Sequence, residues 1–328
     1  MRVSIDNSGI YNFIELCNKK IISVEDVENL LQSDAYNRAI DLMGGNWGIG
    51  EYDKWKEYFL YALLDSNNIN KEGLSSEQIR FASHITEAKK NIDKILELNN
   101  IIENIIRSKE FVNIASKYAF TDKINIIDVN MLIFGPNAGG YKEIIIDLLF
   151  FSEFHEDEIS RVLAHELHHI IRDEYEVIYC VDEKYWAIKQ ALFWFESEGI
   201  ANLCNFNETS KLYEIFGYAK PGTIKENSEH ISQYIESISN LIVDIYEENK
   251  ESSELYDYLL ENVKFHSVAY FMAKTIKELS GEEVIKMIVG DSLKFIKEYQ
   301  LVCECNSRLK NYAFSKSAMK VLNELFIK

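Results

Sequence analysis

The sequence predicts a mainly α-helical protein of the α+β class, with a small β-hairpin or sheet preceding a histidine-rich helix. Only 2 prolines and 14 glycines occur in 328 residues, and long segments carry apolar residues at three- and four-residue spacing, which is typical of helices. Residues 123–151 differ, because they are rich in β-branched and aromatic residues on either side of the turn-forming stretch GPNAGG, a composition that favours strands.

Apolar periodicity predicts helices on both sides of that segment. The predicted ranges are 24–43, 51–65, 75–118, 153–174, 184–205, 228–249, 253–279, 281–299 and 308–327, with the third broken near Asn99-Asn100. Between them, KINIIDVNMLIF and YKEIIIDLLFF predict two strands joined by a tight loop over Gly135–Gly140.

No low-complexity linker and no internal repeat divides the chain. We therefore expect one catalytic unit with three consecutive regions. These are a helical N-terminal region over 1–120, a catalytic core over 121–210, and a helical C-terminal region over 211–328 that completes the active-site cleft.

The charge balance argues against two classes of partner. With 35 basic and 53 acidic residues the net charge is −18, so binding to nucleic acid phosphates or to an anionic membrane would have to overcome repulsion. The sequence shows no signal peptide and no membrane-spanning apolar run, and its five cysteines are an odd number without framework spacing, so we expect a cytoplasmic protein. Cys303-x-Cys305 could supply two of the cysteines of a thiolate metal site or a redox site, but the simpler interpretation is that these cysteines have neither role.

The stretch RVLAHELHHIIRDEY, residues 161–175, contains the candidate metal-binding and catalytic residues. In a helix His165 and His169 lie one turn apart on one face, so both imidazoles can reach one cation. Glu166 lies beside that face and can hold a metal-bound water, which completes the HExxH pattern of zinc peptidases. In that interpretation zinc lowers the pKa of its water toward about 7, Glu166 takes the proton, and the hydroxide attacks a carbonyl. His168 is interpreted as a non-ligand.

A third zinc ligand is expected from the next helix, which contains Glu196 and Glu198. Residues two positions apart point in nearly opposite directions, so only one of them can face the histidines. We favour Glu198, with Glu196 as the alternative. Asn202 follows Glu198 by one turn and could hydrogen-bond a ligand imidazole, while Gly199 would let this helix pack closely on the HELHH helix.

The chain resembles the gluzincin clan of zinc metallopeptidases, and most of all small predicted zinc-dependent bacterial proteases. The resemblance is carried by HELHH and by the later segment Glu198-Gly199-Ile200-Ala201-Asn202. The resemblance covers roughly residues 124–205 and extends to the helix at 266–280. It implies a zincin-like core in which His165, His169 and Glu198 hold Zn²⁺. Two features depart from the clan: the interval between His169 and Glu198 is longer than in aminopeptidases, and Asn202 stands where an aspartate is usual.

The resemblance also implies that an edge strand just upstream of the HELHH helix binds the substrate backbone. Asn137 and Ala138 look like the N-A segment of thermolysin-like enzymes, and Gly139 and Gly140 would let a peptide approach closely. Any hairpin turn favours Asn and Gly, however, so a purely structural turn stays open.

Peptide hydrolysis also needs a donor for the oxyanion. The segment KFHSVAYFMAKTIKELSG offers His266 and Tyr270 on one helix face. We prefer His266, and a histidine with a structural role is the alternative.

These residues predict a zinc-dependent metallopeptidase that acts on peptide or protein substrates. The alternative from another class is a helical binding or regulatory protein with a structural or vestigial zinc site, although structural sites usually have four protein ligands and favour cysteine. A metal hydrolase acting on a non-peptide amide is a third possibility.

Overall fold

A computed structural model describes residues 1–43, 51–64, 75–215, 217 and 219–326. Within those ranges the protein is mainly α-helical and contains a four-stranded sheet, which confirms the predicted fold class. Residue 65, which ends the helix predicted over 51–65, and residue 327, which ends the helix predicted over 308–327, lie outside the described ranges. Among the described residues, no helix has the length and apolarity needed to cross a membrane.

The strands are β1 (Arg2–Asp6), β2 (Ile126–Leu132), β3 (Ala138–Gly140) and β4 (Ile144–Asp147). The helices of the first half are α1 (Ser8–Cys17), α2 (Val24–Leu31), α3 (Asp34–Met43), α4 (Tyr52–Leu63), α5 (Ser76–Lys90), α6 (Ile92–Ser108), α7 (Glu110–Ala115), α8 (Leu148–Phe151) and α9 (Glu156–Glu174). Those of the second half are α10 (Trp186–Ile215), α11 (Thr223–Glu229), α12 (Ile231–Glu247), α13 (Ser253–Leu260), α14 (Lys264–Ser280), α15 (Glu282–Ile288), α16 (Ser292–Cys305) and α17 (Lys316–Leu325).

The sheet precedes the HELHH helix, as expected, but the two predicted strands do not form a hairpin with each other. The strand order is β1-β2-β4-β3, and β2 runs parallel to both β1 and β4. All four residues of β4 are buried, as in a parallel strand that is covered on both faces, and such strands cannot be joined by a tight turn. The hairpin is instead formed by β3, within the predicted loop, and β4.

Two further differences from the sequence prediction concern where helices begin and end. The segment 75–118 was expected to break near Asn99-Asn100, but Asn99 is buried inside α6. The breaks lie instead at Asn91, whose φ is −120°, and at Lys109, whose φ is +61°. The run predicted as strand up to residue 151 turns into α8, because the Asp147 carboxylate accepts a hydrogen bond from the Phe150 N–H at 2.9 Å and caps this helix.

The described chain divides into two compact units by its contacts. The first comprises residues 1–111 and 124–170, and the second comprises residues 112–123 and 171–328. The expected three consecutive regions and their catalytic roles stay a prediction.

Asp147 organises the first unit around the end of β4. Its fully buried carboxylate accepts hydrogen bonds from the N–H groups of Phe134 at 2.6 Å and Gly135 at 3.1 Å, and lies 2.8 Å from Nε2 of His84. These contacts tie the chain after β2 and helix α5 to the sheet. They leave a buried carboxylate fully hydrogen-bonded, as burial of a charge requires.

In the second unit α10 packs along α14. A Cβ atom on Gly199 would lie 2.6 Å from the Ala269 carbonyl oxygen, so the glycine permits a close approach of these two helices. The sequence analysis assigned this role to packing against the HELHH helix, and that assignment is corrected by the contact with α14. All five cysteines are free thiols.

Candidate metal centre

Helix α9 presents the HELHH motif from a well-anchored position. At its start the His155 N–H donates to the Glu158 carboxylate at 2.8 Å, and the first turn carries three acidic residues that favour a helix N-terminus. The apolar residues of the helix are buried, namely Ile159, Val162, Leu163, Leu167, Ile170 and Ile171. The motif therefore lies on a rigid element.

His165, Glu166 and His169 form a group able to hold a metal ion. One potential ligand atom from each lies within 4.8 Å of the others, and the two imidazole rings are 4.8 Å apart between centroids. His165 and Glu166 are buried, and His169 is half-buried. Nitrogens that bind zinc at about 2.0–2.1 Å lie about 4 Å apart or less, so small side-chain rotations would suffice. His168 is fully buried, and neither it nor any cysteine belongs to this group, the one such group in the described part of the chain.

The predicted substrate loop lies against this helix. A Cβ atom on Gly140 would stand 1.9 Å from the Glu166 carbonyl oxygen, so strand β3 approaches the HELHH helix as closely as only glycine allows. β3 forms one edge of the sheet. Asn137 closes the turn before it, because its Oδ1 accepts from the Ala138 N–H at 2.8 Å.

The two carboxylates of α10 have different surroundings. Glu196 is fully buried and accepts hydrogen bonds from Arg172 Nε and the Gly290 N–H, both at 2.9 Å. Glu198 is buried as well, and one of its oxygens lies 3.5 Å from Nδ1 of His266. Glu196 is thus committed to a structural pair, and the ligand role of Glu198 stays a prediction.

His266 belongs to a chain of polar contacts that begins on α10. The Thr209 hydroxyl donates to Oδ1 of Asn202 at 3.0 Å, and this orients the Asn202 amide nitrogen toward Nδ1 of His266, also at 3.0 Å. Nε2 of His266 lies 2.7 Å from the Tyr213 hydroxyl. Both ring nitrogens of His266 therefore have partners, and the imidazole that Asn202 contacts is that of His266.

Sequence reasoning missed Tyr213 and Thr209. Helix α10 was expected to end at residue 205, but it continues to Ile215 across a non-helical Asn205 with φ −150° and ψ 28°. The change of direction brings Thr209 back to Asn202, seven residues earlier. Propensity gives no signal for such a kink inside a buried helix.

Tyr270, the second predicted oxyanion donor, has a packing role in the structure. Its ring stacks on Phe206 with centroids 3.8 Å apart and an interplanar angle of 8°. Burial raises the pKa of its hydroxyl. The predicted catalytic, ligand and substrate roles of the site residues stay predictions.

Comparison with known proteins adds one match. Residues 27–308 match the model of a family described as "Putative zinc dependent peptidase (DUF5700)". The chain belongs to this family. No curated protein and no solved structure matches. The family description and the His165-Glu166-His169 group agree on the cofactor, which is zinc.

Proposed function

We propose that the protein is a zinc peptidase of the gluzincin type, in which His165, His169 and Glu198 hold the metal. The observation that carries this proposal is the convergence of His165, Glu166 and His169 on one helix face, beside a sheet edge that glycine brings against the same helix. Three protein ligands would leave one coordination position for solvent or substrate, as in catalytic sites.

Glu166 would act first as general base and then as general acid. When bound, zinc supplies Lewis acidity, which lowers the pKa of a bound water and polarises the substrate carbonyl. The Glu166 carboxylate would take one proton from the attacking water as the new carbon–oxygen bond forms, and would then deliver it to the leaving amine nitrogen as the carbon–nitrogen bond breaks. Burial of Glu166 keeps competing solvent away from this proton transfer.

Strand β3 would bind the peptide substrate in extended form. The outer edge of a sheet offers backbone N–H and C=O groups, which recognise a peptide independently of its sequence. Gly139 and Gly140 would let the substrate main chain come close to β3, and Asn137 and Ala138 would define where the pairing begins.

Tyr213 is a better candidate than His266 for stabilising the oxyanion. Nδ1 of His266 lies 3.0 Å from the Asn202 amide nitrogen and Nε2 lies 2.7 Å from the Tyr213 hydroxyl, so the imidazole holds the Tyr213 hydroxyl in place. A tyrosine hydroxyl that is held in this position could donate to a developing negative charge. We propose Tyr213 as this donor and His266 as the group that orients it.

The test compares wild type with Glu166→Gln in zinc stoichiometry and in cleavage of a mixed peptide library. We expect one zinc per chain in both proteins, and a loss of cleavage of about 10²–10⁴-fold in the variant, the usual contribution of a general base. Glu174→Gln, an exposed residue of the same helix, is the matched control and should cleave normally.

The outcomes separate the candidate functions. Zinc bound at unit stoichiometry without cleavage by wild type would favour the binding or regulatory protein. Cleavage of amides other than peptide bonds would favour the third possibility. The cytoplasmic location stays a prediction.

A further inference from the structure

A buried ion pair connects the last turn of α9 to the middle of α10. The side chains of Arg172 and Glu196 are 3% and 0% exposed, and Arg172 Nε donates to one Glu196 carboxylate oxygen at 2.9 Å. The guanidinium also lies over the Phe193 ring, 4.4 Å from its centroid, and contacts Glu176 at 2.7 Å. Burial lowers the pKa of Arg172, but attraction to these carboxylates outweighs it and leaves the pKa above its ordinary value.

A third segment completes the arrangement. The second Glu196 oxygen accepts from the Gly290 N–H at 2.9 Å. Gly290 has φ +80°, and a Cβ there would lie 2.3 Å from the Tyr175 carbonyl oxygen. The Val177 N–H donates to the Gly290 carbonyl at 2.8 Å. The two oxygens of the Glu196 carboxylate therefore join α10 to α9 and to the turn before α16, and this turn is also bonded to the chain just after α9.

The pair lies next to the proposed ligands in sequence on both helices. Arg172 follows His169 by three residues on α9, and Glu196 precedes Glu198 by two residues on α10. We propose that Arg172 and Glu196 are positioning residues for the metal site: they fix how the last turn of α9 and the Glu198 segment of α10 lie against each other. This inference rests on the proposed function, since it requires that Glu198 is a ligand.

Stability alone does not explain such a pair. Desolvation offsets most of the attraction between buried charges, and apolar side chains of similar size usually stabilise a fold as well. Apolar packing fixes the relative orientation of two helices less strictly than this pair does. The guanidinium is planar and donates through Nε, and both oxygens of the carboxylate accept hydrogen bonds. Residues that orient metal ligands typically change metal affinity by about 10–100-fold when they are replaced.

The experiment measures zinc affinity by competition with a chromophoric chelator, together with thermal unfolding. Arg172→Met/Glu196→Gln removes both charges and keeps an acceptor for the Gly290 N–H, so it should fold with near wild-type stability. Arg172→Lys keeps the charge and loses the planar fork. The control is Gln300→Leu, which removes buried hydrogen bonds to the Phe314 backbone and should lower stability without changing the pair.

We expect zinc affinity to fall by about tenfold or more in the double variant. Arg172→Lys should lower zinc affinity to a smaller extent. Gln300→Leu should bind zinc with an affinity within about twofold of wild type. Wild-type zinc affinity in either variant of the pair would overturn the proposal. Failure of the proposed function gives a different result: wild type would bind no zinc, or His165→Ala would bind it as well as wild type does.

Discussion

His266 contacts a polar partner through each of its two ring nitrogens, and its predicted role as an oxyanion donor stays a prediction. Its spacing with Tyr270 suggested a donor aimed at substrate, but Nδ1 contacts Asn202 and Nε2 contacts Tyr213. An imidazole with partners on both nitrogens holds its neighbours in place. The role proposed for Tyr213 follows from this pair of contacts.

Replacing Tyr213 by Phe should lower kcat by about 10²-fold or more, because one oxyanion donor is typically worth about 10²–10³-fold. Zinc content should stay at the wild-type level. Tyr270→Phe is the matched control, since it keeps the ring that stacks on Phe206, and it should change kcat by a few fold at most. Steady-state kinetics on one peptide would decide, and the reverse ranking of the two variants would count against Tyr213.

Some residue roles could be predicted from the sequence and others could not. The grouping of His165, Glu166 and His169 follows from helix periodicity, and the opposite directions of Glu196 and Glu198 follow from their spacing. The commitment of Glu196 to Arg172 could not be predicted, because the pairing partner lies on another helix. Tyr213 was missed because Asn205 redirects α10.

At the scale of elements, the approach of β3 to α9 depends on one glycine. Gly140→Ala would place a methyl group 1.9 Å from the Glu166 backbone oxygen, and backbone cannot move aside as a side chain can. We expect destabilisation of about 1–3 kcal/mol or more and loss of peptide cleavage, measured by denaturant unfolding and library digestion.

Gly139→Ala is the matched control for that variant. There the nearest atoms, 2.6 Å from the new Cβ, belong to the ring of Tyr141, which can rotate. If Gly139→Ala destabilised the protein more than Gly140→Ala, the close approach of β3 to α9 would not determine the cost of adding a methyl group to β3.

The N-terminus of α2 provides a test of electrostatics within one element. Lys19 and the Ser23 cap hydrogen-bond Asp26 and lower its pKa to about 2. A carboxyl with a lowered pKa stabilises the folded state above its ordinary pKa of 3.8, and this contribution is lost as pH falls through the folded value. Asp26→Asn should therefore lower the Tm at neutral pH, and the difference from wild type should vanish as pH approaches about 2. A difference that persists at that pH would contradict the assignment.

Element types were easier to predict than element partners. Periodicity located α9 and the first part of α10 within a few residues, because buried apolar faces repeat every 3.6 residues. It could not show that β2 and β4 are parallel, since partner choice depends on contacts distant in sequence. β1 was missed because its five residues, RVSID, alternate weakly and contain two charges.

At the scale of the whole molecule, zinc binding should be measurable as stability. A ligand that binds only the folded state, present at roughly 100 times its Kd, adds about 2.7 kcal/mol to the free energy of unfolding. We expect zinc added to metal-free protein to raise the Tm, and a chelator to reverse the increase. His165→Ala should show no increase, and an equal increase in that variant would locate the zinc elsewhere.

The parallel pairing of β1 with β2 has a consequence for biosynthesis. Arg2 lies opposite Ile126, so β1 leaves the ribosome well before β2 and lacks this neighbour until β2 has been translated. Pairings between distant segments form late and slow folding. During synthesis the exposed edge of β1 would be open to aggregation, which makes it a segment for chaperones to shield.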